Sequence, residues 1–441
     1  MALTGLEIYK QLPKTNCGEC GVPTCLAFAM ALASGKASLD TCPYVTDAAR
    51  ENLESASAPP IKAIKFGNET VMGDETVMFR HDKTFYHETT LIIQVSDALT
   101  DDEVSAKLAE INGLEFERVG LNYSVEGVAV VNESGDAARF AKVAATVAAS
   151  TEKSLLLISN DPKALKAAVV PLASRKPLIG EANADNYEAV VNLAKENSVP
   201  VILKAEGLDA LNDLVEKAVA LGYKEFVLDP GSETIVQKLA DLTQLRRLAI
   251  KKKFRIFGYP VIVFTNHTDP FDEIMEASVY VCKYASAIVL KTSAKAHLLP
   301  LMTLKQNLYT DPQKPIQVEE KLYAIGEVNE NSPLYLTTNF SLTYYSVEGE
   351  VEATKIPSYI IPVNTEGTSV LTAYAAGKYE PELMWETMQK LGVVDLLKHR
   401  NVIIPGYVAV VTAKLKEISG WNVIVGPRES SGIVAFAKTF K

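Results

Sequence analysis

Four of the five cysteines lie close together near the start of the chain, and cysteine thiolates are strong metal ligands. They are Cys17, Cys20, Cys25 and Cys42, in the spacing C-x2-C-x4-C-x16-C. Zinc usually takes thiolates from two C-x2-4-C pairs, whereas three clustered cysteines with a remote fourth before proline are typical of iron–sulfur ligation. The spacing favours a [4Fe–4S] cluster and leaves a zinc site open, while a disulfide framework fits a reducing compartment poorly.

Two glycines belong to the cysteine cluster, whereas the fifth cysteine lies far from it. Gly18 and Gly21 lie among the clustered cysteines and let the backbone wrap closely, with its amides directed at the sulfurs. Cys282 is alone in an apolar, helix-like stretch, SVYVCKYAS, and we interpret it as a buried small hydrophobic residue.

A second candidate site lies in three loops near the end of the chain, at residues 364–371, 405–409 and 426–432. Each follows an apolar strand pattern, and ligands of open α/β sheets bind beyond the carboxyl ends of the strands. The loops offer backbone amides, hydroxyl groups and Arg428, although their glycines also suit ordinary turns. The chain has neither a G-x-G-x-x-G nor a G-x-x-x-x-G-K-[ST] motif, so a dinucleotide site is poorly supported and a P-loop is excluded.

The central part of the chain alternates short apolar strands with helix-like stretches. Eight strands are predicted, at residues 90–95, 128–131, 155–159, 177–180, 200–204, 225–229, 260–264 and 287–291. This alternation implies a parallel sheet and fits a (β/α)8 TIM-like barrel, with a doubly wound open sheet as the alternative. Residues 300–325 contain several prolines and are predicted to be an extended connection and a hinge.

The pattern predicts an α/β protein of three domains. These are a small cysteine module at 1–58, a barrel at 59–320 and a Rossmann-like α/β domain at 321–441. In the first domain, helices are predicted directly after Cys25 and over residues 46–60, where the helix runs into a small-residue linker that ends at Pro59 and Pro60. In the last, residues 335–353 are predicted to form a β-hairpin or two strands.

Composition narrows the class of protein. The chain has 441 residues, 48% hydrophobic and 22% charged, with a net charge of −10, which is ordinary for a globular protein. The acidic balance argues against nucleic-acid binding. Neither a secretory signal nor a membrane-spanning apolar run is evident, so a cytoplasmic protein is expected.

Several segments taken together resemble a known family. The opening segment MALTGLEIYKQLPKTNCGECGVPTCLAFAMALASGKASLDTCPYV resembles the cluster module of the corrinoid/iron–sulfur protein large (gamma) subunits of acetogenic bacteria. The segments TTNFSLTYYSVEGEVE, TSVLTAYAAGK and VIVGPRESSGI resemble the corrinoid domain of the same family. A similar subunit exists in the archaeal acetyl-CoA decarbonylase/synthase complex.

The resemblance implies a methyl carrier of the reductive acetyl-CoA (Wood–Ljungdahl) pathway of carbon dioxide fixation. Cob(I)amide would accept a methyl group from methyltetrahydrofolate through a separate methyltransferase and pass it to the nickel–iron–sulfur cluster of acetyl-CoA synthase. The chain would thus be one subunit of a corrinoid-dependent methyltransferase system. The implied partners are a small subunit in a heterodimer, the methyltransferase, carbon monoxide dehydrogenase/acetyl-CoA synthase and a reductive activator.

The resemblance also assigns residues to two cofactors. A [4Fe–4S] cluster on Cys17, Cys20, Cys25 and Cys42 would return inactive cob(II)amide to the active state. The corrinoid, a base-off cobamide, would contact Thr338, Tyr344, Thr368, Ser369, Val370, Leu371, Thr372, Gly406, Gly426, Pro427, Arg428, Gly432 and Val434. Thr372 or a neighbour is expected to face the lower side of the ring. The absence of an Asp-x-His-x-x-Gly motif agrees with a cobalt that has no protein histidine ligand.

Two other functions stay open from the residues alone. A pterin-dependent methyltransferase would need polar groups at barrel strand ends, where Asn160, Asp161, Asp229 and Asn266 are available, although such residues also suit helix caps. An iron–sulfur electron carrier, or a zinc-stabilised scaffold without corrinoid, would need only the cysteine module.

Overall fold

The computed structural model describes residues 5–33, 37, 39–46, 49, 53, 59–310 and 315–439. The chain divides into two compact units. The barrel unit comprises Met1–Leu114 and Ser124–Tyr309, and the C-terminal unit comprises Glu115–Tyr123 and Thr310–Lys441. The three-domain division with boundaries at residues 58 and 320 stays a prediction.

Two short helices, Gly5–Gln11 and Cys25–Ala33, and a 3-10 turn, Leu39–Thr41, begin the barrel unit. They share a small apolar core that includes Ile8, Leu12 and Phe28. The helix predicted directly after the third cysteine is thereby confirmed. The helix predicted over residues 46–60 falls mostly outside the described residues.

Eight parallel strands form the sheet of the barrel unit. They are β1 Thr90–Ser96, β2 Gly127–Val131, β3 Ser154–Ile158, β4 Leu178–Ala182, β5 Val201–Lys204, β6 Phe226–Asp229, β7 Ile262–Phe264 and β8 Ala287–Leu290. Consecutive strands pair from β1 to β6, β7 pairs with β8, and β8 pairs with β1. A single bridge between Leu228 and Val261 joins β6 to β7. All eight predicted strands are confirmed, and the circular order excludes the open-sheet alternative.

A helix follows each barrel strand. The helices are Asp101–Asn112, Ala137–Ser150, Pro162–Leu172, Tyr187–Asn197, Leu208–Ala220, Ile235–Ile250, Pro270–Cys282 and Lys295–Tyr309. Aspartate side chains cap three of them by accepting hydrogen bonds from the first turn, at Asp136, Asp161 and Asp269. The helices thus begin at the carboxyl ends of the strands, where barrel enzymes place their functional loops.

The barrel interior is an apolar core. Ile92, Leu156, Ile202 and Val227 come from four different strands and belong to one buried cluster. A two-stranded hairpin, Ile64–Phe66 and Thr70–Met72, adds Ile64, Phe66 and Met72 to that cluster. The amide of Gly67, in its turn, donates to the Lys176 carbonyl just before β4, so the hairpin closes the amino-terminal end of the barrel.

Two sequence interpretations in this unit are wrong. Within the extended connection predicted at 300–325, residues 300–309 belong instead to the helix Lys295–Tyr309, because Leu298, Leu301 and Met302 are buried at helical spacing and their packing outweighs the cost of Pro300. Cys282 is exposed, since it is the last residue of its helix and lies beyond the buried face.

The C-terminal unit contains a five-stranded sheet. Its strands are β9 Tyr323–Ile325, β10 Leu334–Thr338, β11 Ser358–Val363, β12 Asn401–Ile404 and β13 Asn422–Val425. The spatial order is β9-β11-β10-β12-β13, with β9 antiparallel and the other four parallel. The sheet is doubly wound, because the chain moves from β10 to one side for β11 and to the other side for β12.

Helices cover both faces of this sheet: Ser341–Ala353, Val370–Ala375, Pro381–Lys390, Val393–Leu396, Thr412–Ser419 and Ile433–Ala437. The hairpin predicted over residues 335–353 is wrong, since only β10 is a strand and the rest is the first of these helices. Ser341, Tyr344 and Val351 are its buried positions, at helical spacing, and the Tyr344 hydroxyl donates to Glu348 one turn later.

Candidate functional site

A cavity of about 300 Å³ lies at the carboxyl ends of β10 and β12. This is the point of the doubly wound sheet where the strand order reverses and where such sheets bind ligands. The cavity is lined by Tyr335, Leu336, Thr337, Leu342, Thr343, Ser346, Val347, Ser369, Val370, Leu371, Ile403, Ile404, Pro405, Tyr407, Gly426, Pro427, Arg428, Glu429, Ser430 and Ile433. Its floor is apolar strand ends and its walls are the three predicted loops and the start of the helix after β10.

Close backbone packing holds two of these loops together. The amide of Gly406 donates to the Pro427 carbonyl at 2.9 Å, and the amide of Gly426 donates to the Ile404 carbonyl at 2.9 Å. A Cβ atom at residue 406 would lie 2.6 Å from the Gly426 carbonyl oxygen. Glycine at 406 is therefore required by close approach of the neighbouring loop.

The charged residues of the cavity lie at its rim. Tyr407 donates a hydrogen bond to Glu429, and that interaction raises the pKa of the Tyr407 hydroxyl. Arg428 is exposed beside this pair. The rim therefore presents a guanidinium group next to a carboxylate that already has a hydrogen-bond partner. The described residues that line the cavity include no histidine or cysteine.

The predicted corrinoid contacts divide into two groups by their positions. Six of them line the cavity: Ser369, Val370, Leu371, Gly426, Pro427 and Arg428. The others lie next to it in the chain without lining it: Thr338, Tyr344, Thr368, Thr372, Gly406, Gly432 and Val434. Their role as contacts stays a prediction.

Four of the residues that lie off the cavity have other partners. Tyr344 is buried with its hydroxyl bonded to Glu348. The Thr372 hydroxyl is exposed and accepts from Ser369 at 3.1 Å, and the Thr368 hydroxyl donates to the Thr365 carbonyl at 2.7 Å. Gly432 packs on Pro427, where a Cβ would lie 2.7 Å from the proline Cβ.

Sequence reasoning missed the floor of the cavity. Tyr335, Thr337 and Ile403 line it from within strands, and apolar strand residues give no signal that separates a cavity floor from an ordinary core. Thr337 and Thr338 are both fully buried, and neither hydroxyl has a hydrogen-bond partner among the described residues. Native structures rarely leave such groups unpaired, so two of them at one strand end distinguish this edge from the rest of the core.

The four cysteines of the first module lie in one small region at different depths. Cys25 and Cys42 are buried in the module's apolar core, Cys20 packs against it, and Cys17 is exposed. Among the described residues, no three His, Cys, Asp or Glu side chains are gathered closely enough to hold a metal ion. The structure thus places the four thiols in one module without assembling them into a ligand cage.

The loop between the cysteines has the backbone features of a cluster-binding loop. Gly18 and Gly21 adopt φ angles of 77° and 82°, which favour glycine. The amide of Asn16 donates to the Cys25 sulfur at 3.4 Å, while the Asn16 side chain accepts from the Cys25 amide at 2.8 Å. Amides directed at sulfur fit an iron–sulfur cluster, because hydrogen bonds to the sulfurs tune its potential.

Tyr44 joins the two cysteine-containing segments of this module. Its hydroxyl donates to the Glu19 carboxylate at 2.8 Å, which raises the pKa of Tyr44. Glu19 lies between Cys17 and Cys20, and Tyr44 lies two residues after Cys42. The hydrogen bond therefore holds the remote cysteine segment against the clustered one.

The carboxyl end of the barrel has charged side chains on strand ends. Lys204 on β5 contacts both carboxylate oxygens of Glu181, at 2.8 and 2.9 Å, and lies 3.9 Å from Asp229 on β6. Burial raises the pKa of Asp229 to about 6. Of the other strand-end residues named for a pterin site, Asp161 caps a helix, and Asn160 and Asn266 are exposed.

Comparison with known proteins places the chain in a family. The model of the CO dehydrogenase/acetyl-CoA synthase delta subunit family matches residues 63–437, and an Fe–S cluster family model matches residues 12–44. The chain belongs to the CO dehydrogenase/acetyl-CoA synthase delta subunit family.

The chain is similar to the corrinoid/iron–sulfur protein large subunit of Moorella thermoacetica, with 59% identity over 99% of each chain. It is also similar to the acetyl-CoA decarbonylase/synthase complex subunit gamma of Methanothermobacter thermautotrophicus, with 35% identity over 98% of each chain. The family expected from the sequence motifs is confirmed.

Among solved structures, dihydropteroate synthase of Thermus thermophilus aligns with 57% of this chain and 100% of its own, at 15% identity and a TM-score of 0.39. A likeness at this level does not bear on function. Within the part of the chain that the structure describes, no helix has both the length and the apolar character needed to cross a bilayer.

Proposed function

We propose that the chain is the corrinoid-binding, methyl-carrying subunit of a reductive acetyl-CoA pathway system. The observation that supports this most is the 59% identity to the Moorella large subunit, because the match extends over 99% of both chains and so includes the cysteine module and the C-terminal unit. When bound, the corrinoid supplies a cobalt centre that accepts a methyl group and gives it up again. The protein's part is to bind, orient and tune that cofactor.

The cavity of the C-terminal unit fits one side of a corrin ring. The cavity is open to solvent, so it would hold an edge or face of the ring and leave the remainder accessible to a partner. Tyr335, Leu336 and Ile403 supply an apolar floor, while Ser369 and Ser346 supply hydroxyls of the kind that hydrogen-bond to carboxamide substituents. Arg428 supplies a cation at the rim for an anionic group of the cofactor.

The residue types around the cavity suit a cobalt atom without a strong protein ligand. Serine, threonine, tyrosine and apolar residues make up most of the lining, and neither imidazole nor thiolate is among the lining groups that the structure describes. Such a lining would suit the base-off form implied by the resemblance, in which a weakly ligated cobalt would be easier to reduce.

The cysteine module is proposed to hold the [4Fe–4S] cluster through Cys17, Cys20, Cys25 and Cys42. Four thiols on one small module, two positive-φ glycines between them and an amide directed at the Cys25 sulfur fit this group. The cluster supplies a low-potential electron, and Cys17, being exposed, would lie nearest to an external electron donor.

The proposed partners follow from the same assignment. A small subunit would complete the corrinoid site in a heterodimer, and carbon monoxide dehydrogenase/acetyl-CoA synthase would take the methyl group. A methyltetrahydrofolate:corrinoid methyltransferase would supply it, and a reductive activator would restore the inactive cofactor.

Anaerobic co-expression with the small subunit tests the proposal. Purified protein is expected to contain about one cobalt and about four iron atoms per chain, with corrinoid absorption bands above a broad iron–sulfur shoulder. Iron without cobalt would favour a plain iron–sulfur electron carrier. A protein with neither metal that binds a pterin would favour a pterin-dependent methyltransferase.

A further inference from the structure

Asn339 is the first residue after β10 and is only 2% exposed. Its side-chain amide uses its full hydrogen-bonding capacity within the protein. Its Oδ1 accepts from the amides of Thr365 and Gly367, at 2.9 and 3.0 Å, and from the Thr365 hydroxyl at 3.3 Å. Its Nδ2 donates to the side-chain oxygens of Gln317 and Asn364, at 3.0 and 3.1 Å. One buried amide therefore joins two separate segments of the C-terminal unit to the end of β10.

The first of these segments is the cavity wall. Residues 364–371, here called the wall loop, follow β11 and place Ser369, Val370 and Leu371 in the cavity lining. Asn339 bonds to the first half of this loop and lines no part of the cavity itself. Its effect on a bound ligand would therefore be indirect, through the position of the loop.

The second segment is the stretch by which the chain enters the C-terminal unit from the barrel unit. Residues 315–320, here called the strap, run antiparallel to residues 339–341. Val318 donates to the Asn339 carbonyl at 2.9 Å, and Ser341 donates to the Ile316 carbonyl at 3.0 Å. The strap is thus fixed to the end of β10 by backbone hydrogen bonds as well as by the Asn339 side chain.

Strap and wall loop also touch each other directly. Gly367 has a φ of +72°, and a Cβ there would lie 2.7 Å from Gln317 Cγ and 3.0 Å from Pro315 Cβ. The Glu320 carboxylate accepts from the Asn364 amide at 2.8 Å. Glycine at 367 lets the loop lie against the strap without a side chain between them.

We propose that Asn339 is a positioning residue that fastens the cavity wall to the strap, so that the hold on the bound corrinoid depends on the strap being in place. The proposal rests on the proposed function for the identity of the ligand. It adds that the segment leading in from the barrel unit controls the wall of the cofactor site. Loosening the strap alone is then expected to release the wall loop and speed the loss of the cofactor.

Two variants separate the hydrogen bonds of Asn339 to the strap from its hydrogen bonds to the wall loop. Asn339→Ala removes all five hydrogen bonds, whereas Gln317→Ala removes only the strap side and leaves the bonds to the wall loop intact. With about 1 kcal/mol for each net hydrogen bond lost, Gln317→Ala is expected to speed corrinoid release about fivefold and Asn339→Ala at least tenfold. The matched control is Asn422→Ala, which removes an asparagine–asparagine hydrogen bond of 2.9 Å at the opposite edge of the same sheet.

Two measurements on the full-length chain test the coupling. Amide hydrogen exchange of residues 364–371 is measured on corrinoid-free protein and is expected to rise in both variants and to stay at the wild-type rate in the control. Corrinoid release is then followed by absorbance on loaded protein. Wild-type exchange and release in Gln317→Ala would overturn the coupling, even if Asn339→Ala failed to fold, because Gln317 is exposed and its truncation leaves the core intact.

The exchange measurement keeps this test separate from that of the proposed function. A chain that binds no cobalt but still shows faster wall-loop exchange in Gln317→Ala would refute the corrinoid assignment and support the coupling. A chain that binds cobalt and shows unchanged exchange in both variants would support the corrinoid assignment and refute the coupling.

Discussion

Replacing Gly406 by alanine is expected to weaken corrinoid retention about 30-fold. The added methyl group would lie 2.6 Å from the Gly426 carbonyl oxygen and 2.9 Å from the Arg428 amide nitrogen, where ordinary contact begins near 3.4 Å. Both neighbours are backbone atoms, so the loop at 426–428 must move as a whole. Overpacking of this kind costs about 1–3 kcal/mol, and loss of the Gly406-to-Pro427 hydrogen bond adds about 1 kcal/mol. The lower end of this total, about 2 kcal/mol, corresponds to about 30-fold in affinity if it is all lost from the free energy of corrinoid binding.

The assay is corrinoid retention of the full-length protein, followed by absorbance after gel filtration and by a urea titration of unfolding. Gly349→Ala is the matched control, because a Cβ there meets nothing within 4 Å and the residue lies inside the helix after β10. The control should retain corrinoid normally and gain up to about 1 kcal/mol of stability. Retention and stability at wild-type levels in Gly406→Ala would refute the close approach on which this reasoning depends.

Three further substitutions give checkable outcomes. Thr337→Val should stabilise the corrinoid-free chain by about 1 kcal/mol in urea unfolding, because it removes a buried hydroxyl without a partner among the described residues; a loss of stability would show that the hydroxyl is paired. The pKa of Asp229 is raised from 3.8 to about 6, so the folded chain keeps a proton that the unfolded chain has lost, and stability falls as pH rises from about 4 to about 6. Asp229→Asn should therefore flatten the decline in stability over that range, and an unchanged slope would contradict the assignment. Tyr44→Phe removes the hydrogen bond to Glu19 and should speed iron loss in air a few-fold at unchanged initial iron content, as measured by absorbance at the iron–sulfur shoulder.

The barrel was predictable from sequence because its strands are buried on both sides. Runs such as residues 155–159 and 200–204 are apolar nearly throughout, and each is followed by an amphipathic helix, the first with Asp161 as its capping residue. The helix Ser341–Ala353 was missed because its threonine, tyrosine and valine residues are typical of strands. Tertiary packing favours the helix over a strand, since Tyr344 and Val351 are buried at a spacing of seven residues, which is two helical turns.

The candidate site was predictable in its loops and not in its floor. Glycine, serine and threonine at 364–371 and 426–432 marked the right strand ends, and the cavity is lined by residues of both stretches. The roles of Thr337 and Asn339 depend on which strands are neighbours in space. Local spacing contains no information about that order, so neither residue stood out before the sheet was known.

The strands Glu115–Arg118 and Leu121–Ser124 form a two-stranded ribbon, which has a consequence for how the protein can be divided. It is inserted between the first helix and the second strand of the barrel, yet residues 115–123 belong to the C-terminal unit. Gly120 there approaches Tyr345 so closely that a Cβ would lie 1.9 Å from the tyrosine hydroxyl oxygen. A fragment produced by cutting the gene near codon 310 or 321 would therefore lack one of its own packing elements. Such a truncated product would expose the Tyr345 surface to water, and its behaviour in isolation would understate the stability of the same residues in the intact chain.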